Sequence, residues 1–166
     1  MNNRPARPAG LQTGLALSLL WAALMGLYIY NDYFSLYLPG TIEDMAAGKI
    51  GPLGQASDAV MVGVSILLAI PALMIFLSAA LPRSISRWAN VVLGVVYTAV
   101  EVMTFFGSPP FYQVVVALEV AVTLTIVAYG VRWPRETSSG PPDRFRAGMR
   151  VVAGATQDVV GRADGD

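Results

Sequence analysis

Residues 90–129 read NVVLGVVYTAVEVMTFFGSPPFYQVVVALEVAVTLTIVAY. Two apolar runs flank Gly107-Ser108-Pro109-Pro110, and each is long enough to cross the ~30 Å hydrocarbon core of a bilayer. The Gly and Pro residues between them mark a turn. Each run carries one carboxylate well inside it, Glu101 and Glu119. This stretch reads as a transmembrane hairpin, and the rest of the chain repeats its pattern.

Of 166 residues, 55% are hydrophobic and 13% charged, where a soluble domain of this size carries about 25% charged residues. The apolar residues fall into four blocks, about 11–30, 59–81, 89–106 and 111–131. The expected fold is therefore all-α, a polytopic membrane protein with four transmembrane helices in an up-down bundle. The membrane domain spans 11–133. Residues 1–10 read as a disordered head, and 134–166, rich in Ser, Pro, Gly and charge, as a mostly disordered tail. Arg4 and Arg7 precede the first block as in a signal peptide. However, a run of about 20 residues exceeds the ~7–15 of a signal's apolar region, so a retained helix is expected.

The chain has no Cys and no His. That removes thiol chemistry, disulfides, imidazole bases and the usual haem and zinc ligand sets. No Ser-His or Cys-His pair, HExxH or phosphate loop is present. No catalytic residue, metal, cofactor or nucleic-acid partner is expected; the expected surroundings are lipid.

In chain order, Gly14, Ser18, Ala22 and Gly26 recur every four residues, a narrow face that lets a neighbouring helix approach. Tyr28, Tyr30, Tyr33, Phe34 and Tyr37 read as an aromatic belt at the headgroup level. Thr41–Gly48 reads as a two-turn surface helix with Thr41 and Asp44 as its capping pair. Asp58 is placed to cap the second span. Pro71 lies near the middle of that span, where it removes a backbone donor and leaves a carbonyl for a neighbour to satisfy. Residues 82–87 read as a tight basic loop. Arg144, Arg146 and Arg150 of the tail are placed to brush the membrane surface.

Ten of the eleven Lys and Arg lie in the head, in 82–87 and in the segment from Arg132 onward. Only Lys49 lies in the 31–58 connection, beside Asp32, Glu43, Asp44 and Asp58. By the positive-inside rule both termini are cytoplasmic, and the 31–58 and 107–110 connections lie outside.

Tyr30-Asn31-Asp32, Ser35-Leu36, Pro39-Gly40 and Gly48 resemble the first-helix and outer-loop pattern of a family of small bacterial four-helix membrane proteins of unknown function. Ile70-Pro71, Leu81-Pro82 and Arg87-Trp88-Ala89-Asn90 carry the same resemblance, which covers about residues 11–133. It implies the four-helix fold and a bacterial inner membrane, and brings no reaction, ligand or catalytic residue.

An acidic side chain at mid-bilayer costs about 2.5–3.5 kcal/mol on insertion scales and usually faces the bundle interior. Glu101 precedes the outer end of its span by about six residues, and Glu119 follows the outer end of the next by about eight. At ~1.5 Å per residue the two sit at similar depth and can lie side by side. Helical spacing from Glu101 collects Asn90, Gly94, Tyr97, Thr98 and Thr104, a polar and small stripe. Spacing from Glu119 collects Tyr112, Val115, Val116, Val122 and Thr123, a more apolar face. Two carboxyls sharing a dry site tend to hold one proton between them. The candidate ligand or proton site is Glu101, Glu119, Tyr97, Thr98 and Asp32. One reading is a small transport or ligand-binding protein. The alternative is an accessory subunit or assembly factor with a membrane partner; the transport reading calls for a homo-oligomer, and the structural reading of the two acids is neutral glue between helices.

Overall fold

The computed structural model describes residues 9–106 and 108–133. Expectations for residues 1–8, for Gly107 and for the tail from 134 onward, with its basic residues, lie outside the described residues. Helices α1 (Ala9–Ser35), α3 (Asp58–Ala80), α4 (Arg83–Phe105) and α5 (Pro110–Arg132) are each long and apolar enough to cross a membrane. A short helix α2 (Thr41–Ala46) and a 3-10 turn (Gly51–Leu53) occupy the long connection. The four-span, all-α architecture agrees with the sequence. Twenty-three residues at 1.5 Å make about 34 Å of helix.

Several boundaries differ, each for a local reason. α1 runs on to Ser35 through the aromatic cluster, because nothing between Tyr28 and Ser35 breaks a helix. Bonds from Leu36, Tyr37 and Leu38 back three residues then tighten its end. α2 is one and a half turns rather than two, and Gly40 is its N-cap at φ 86°, with no side-chain cap from Thr41. Ser57 rather than Asp58 caps α3, accepting from the Val60 N–H at 3.4 Å. The basic stretch expected as a loop is the first turn of α4, which starts at Arg83 directly after Pro82. Leu81 and Pro109 are both extended, as residues before a proline tend to be.

α1 packs between α3 and α5, and α4 closes on α5. The small-residue face is used at one end. A Cβ on Gly14 would lie 3.1 Å from the Ser78 carbonyl oxygen of α3, whereas Gly26 has nothing within 4 Å. Helices α4 and α5 approach through Gly94 and Gly130. A Cβ on either would sit 2.7 Å from a valine methyl of the other helix, Val127 or Val91.

The core is narrow: Leu17, Trp21, Leu24, Met74, Tyr97, Ile126 and Trp133. Trp21 and Tyr97 meet edge to face, with ring centroids 5.8 Å apart. Around it Phe76, Val92, Met103 and Leu124 are exposed, as side chains facing lipid tails would be. Tyr97 also resolves the helix break at Pro71. The residue without an N–H is Pro71, so the carbonyl four residues back, on Leu67, lacks its helical donor. The Tyr97 phenol donates to that carbonyl.

Candidate functional site

The α4–α5 register follows from the two close approaches: Val91 lies against Gly130, Gly94 against Ile126 and Val127, and Thr98 against Thr123. One further turn toward the 107–110 connection brings Glu101 level with Glu119. Both are 3% exposed. Both have the burial on facing helices that the sequence suggests.

Their surroundings differ. Glu101 is fully partnered. The Tyr28 phenol of α1 donates to its Oε1 at 2.8 Å, and the Thr123 hydroxyl of α5 donates to its Oε2 at 2.8 Å. Thr98 extends the chain: its single hydroxyl proton can go to Thr123 Oγ1 at 2.8 Å or to the Gly94 carbonyl at 2.7 Å. Thr123 likewise has backbone alternatives, the Glu119 and Val120 carbonyls at 3.1 Å. Glu101, Thr123 and Thr98 thus form a chain of oxygens whose proton order can be reversed without moving a heavy atom.

Glu119 Oε1, by contrast, is buried and meets no donor. The groups facing it are Asn31 and Asp32 of α1 and Glu101 of α4. The Tyr112 phenol, on the same helix as Glu119, sits among Asn31, Asp32 and Thr104. Asn31 is itself 4% exposed, and its Oδ1 also lacks a donor. Glu119 Oε1 and Asn31 Oδ1 are thus buried acceptors without a donor, on two side chains that the Asn31 amide already links by a hydrogen bond. Each such group costs about 1–3 kcal/mol.

Of the five residues the sequence singles out, Glu101, Glu119 and Thr98 share one cluster. Asp32 is exposed at its rim. Tyr97 is buried below, but its hydroxyl is committed to Leu67. Sequence reasoning passed over Tyr28 and Asn31, and did not connect Thr123 to Glu101. A signal existed. Leu17, Trp21, Leu24, Tyr28 and Asn31 follow one another at spacings of four and three, a single face of α1. That face carries the core and then the site. Among the described residues no three acids gather as a metal site, so the donor set is two carboxyls, an amide oxygen and hydroxyls.

A second polar cluster toward the other end of the bundle gives a contrast. Asn90 Oδ1 accepts from the Trp21 indole at 2.7 Å and from Ser78 at 3.0 Å. Its Nδ2 donates to the Ser86 carbonyl at 2.8 Å, and Ser86 donates to the Ser78 carbonyl at 2.8 Å. Arg87 caps α5 by donating to the Gly130 and Val131 carbonyls at 3.1 and 3.2 Å. This cluster ties all four spans together and leaves no side-chain atom unpaired. It is what structural polar glue looks like in this molecule, and the Glu119–Asn31 contact does not share that completeness.

The profile of a family described as of unknown function (DUF6326) matches residues 12–140. No curated protein and no solved structure matches the chain.

Proposed function

We propose that this chain, which belongs to the family of unknown function DUF6326, is a small membrane transport or ligand-binding protein whose working site is the Glu101–Glu119 pair. Its ligand is a proton or a small cation. One observation carries the reading: Glu119 Oε1 and Asn31 Oδ1, on side chains linked by the Asn31 amide, are buried acceptors that no donor reaches. A proton on Glu119 would turn one acceptor into a donor for the other. A small cation between them would satisfy both. Glu101, already accepting from Tyr28 and Thr123, is then the member that keeps its charge. The site is reached from the rim where Asp32 stands exposed. The distribution of Lys and Arg supports this rim as the outer face, with both termini cytoplasmic, and the family resemblance supports a bacterial inner membrane.

The test is an infra-red pH titration of the carboxyl stretch in lipid bilayers, comparing the native chain with Glu119→Gln and Glu101→Gln. A protonated-carboxyl band that responds to pH or to added Na⁺ or K⁺, and that disappears in Glu119→Gln, is expected. A band that responds to neither would assign the pair to helix packing and end the proposal.

A further inference from the structure

At the end of the bundle opposite Asp32, the first turns of α1 and the last turns of α5 enclose a groove of about 600 Å³. Its polar lining, Thr13, Thr125, Tyr129, Arg132 and Trp133, carries no acid. Trp133 is 6% exposed, and its indole N–H is sealed off without an acceptor. Among the described residues Arg132 meets no carboxylate; the ion pair there joins Lys49 and Asp44 at the far end of the protein. The carbonyls of Gly130 and Val131, which could have drawn in a neighbouring cation, are taken by Arg87. Leu124, Ala128 and Arg132 follow at intervals of four along α5. One face of the groove therefore passes from apolar to cationic toward the helix end.

We propose that this groove seats one bilayer phospholipid with an anionic headgroup. The phosphate lies on Arg132 and the Trp133 N–H, and an acyl chain lies along Ala128 and Leu124. Three features carry this. The unpaired donor calls for an acceptor, the uncompensated guanidinium calls for an anion, and both sit at the end of a membrane-spanning helix, the level of the headgroups. A phosphate supplies the acceptor and the charge together, and bidentate contact with Arg suits its geometry. The inference is independent of the Glu101–Glu119 reading, which concerns the other end of the bundle.

Native mass spectrometry of the full chain, released from micelles containing equal phosphatidylglycerol and phosphatidylcholine, tests it. The native chain should retain one phosphatidylglycerol in preference to phosphatidylcholine. Arg132→Gln should lower that preference about fivefold, the factor expected for one Arg near an anionic surface. Trp133→Phe keeps an aromatic ring and removes the N–H, and should lower it as well, while Lys49→Gln leaves it unchanged. A thermal melt of each variant separates lost lipid from lost fold, and Arg132→Lys, retaining charge, should recover part of the preference. Equal retention of the two lipids, or displacement of phosphatidylglycerol by millimolar inorganic phosphate, would overturn the proposal. The first outcome means ordinary boundary lipid, the second a site for free phosphate.

Discussion

The bond between Tyr28 and Glu101 offers a direct measure of charge inside the bundle. In the double-mutant cycle of Tyr28→Phe and Glu101→Met, each single change removes one partner of a 2.8 Å contact between α1 and α4, and the ring and chain volumes are nearly kept. Hydrogen bonds between membrane helices average about 0.6 kcal/mol and reach about 1.7 in such cycles. A bond to an ionised group is worth about 1.5–3 kcal/mol. Glu101 accepts from two hydroxyls at 2.8 Å, the pattern of a carboxylate, so a coupling of about 1.5–3 kcal/mol is expected. Unfolding in mixed micelles, followed by circular dichroism, gives the four free energies. A coupling at or below about 0.6 kcal/mol would mean that Tyr28 meets a neutral group, and the assignment of charge to Glu101 would be wrong.

The Pro71–Tyr97 arrangement makes a non-additive prediction: Tyr97→Phe should destabilise the native chain by about 1–3 kcal/mol, and much less in a Pro71→Ala background, where the restored N–H can bond the Leu67 carbonyl. Equal costs in the two backgrounds, by the same unfolding assay, would refute the pairing. At the α4–α5 seam, Gly94→Ala should destabilise by about 1–3 kcal/mol through overpacking against Val127. Gly26→Ala, with open space around it, should be neutral or stabilise by up to about 1 kcal/mol from helix propensity; comparable losses in both would contradict the packing described.

What could be read without the structure divides along physical lines. The polar stripe from Asn90 through Gly94 and Tyr97 to Glu101 was legible because α4 is amphipathic, and one helix's spacing is enough to collect it. The depth match of Glu101 and Glu119 followed from a short turn between two helices. The partners of each acid were not legible. They come from α1, and spacing along one helix says nothing of what a different helix presents. Tyr28 was concealed by its company, since a tyrosine among interfacial aromatics already has an adequate explanation. The start of α4 was hidden because Arg83, Ser84, Ser86 and Arg87 look like loop residues. Ser86 is nonetheless wholly buried, and Arg87 spends its guanidinium on the end of α5. Pro71 announced a freed carbonyl, but only the packing shows that Tyr97 answers it.

The clasp around Asn90 has a mechanical consequence. It fastens α1, α3 and α4 to one another, and Arg87 adds α5. Near Glu119, the cross-links from α1, Tyr28 to Glu101 and Asn31 to Glu119, leave two buried acceptors without donors. The polar packing of the bundle is thus complete in the clasp around Asn90 and incomplete around Glu119, like a clothes-peg with a welded spring. Swinging the acids from one aqueous phase to the other would require breaking the weld, which means exposing an indole, an amide and two serine hydroxyls to lipid at once. If the acid pair is the working site proposed above, a single copy of this chain loads and unloads through one mouth, and net passage across the bilayer needs a second body to supply the other exit.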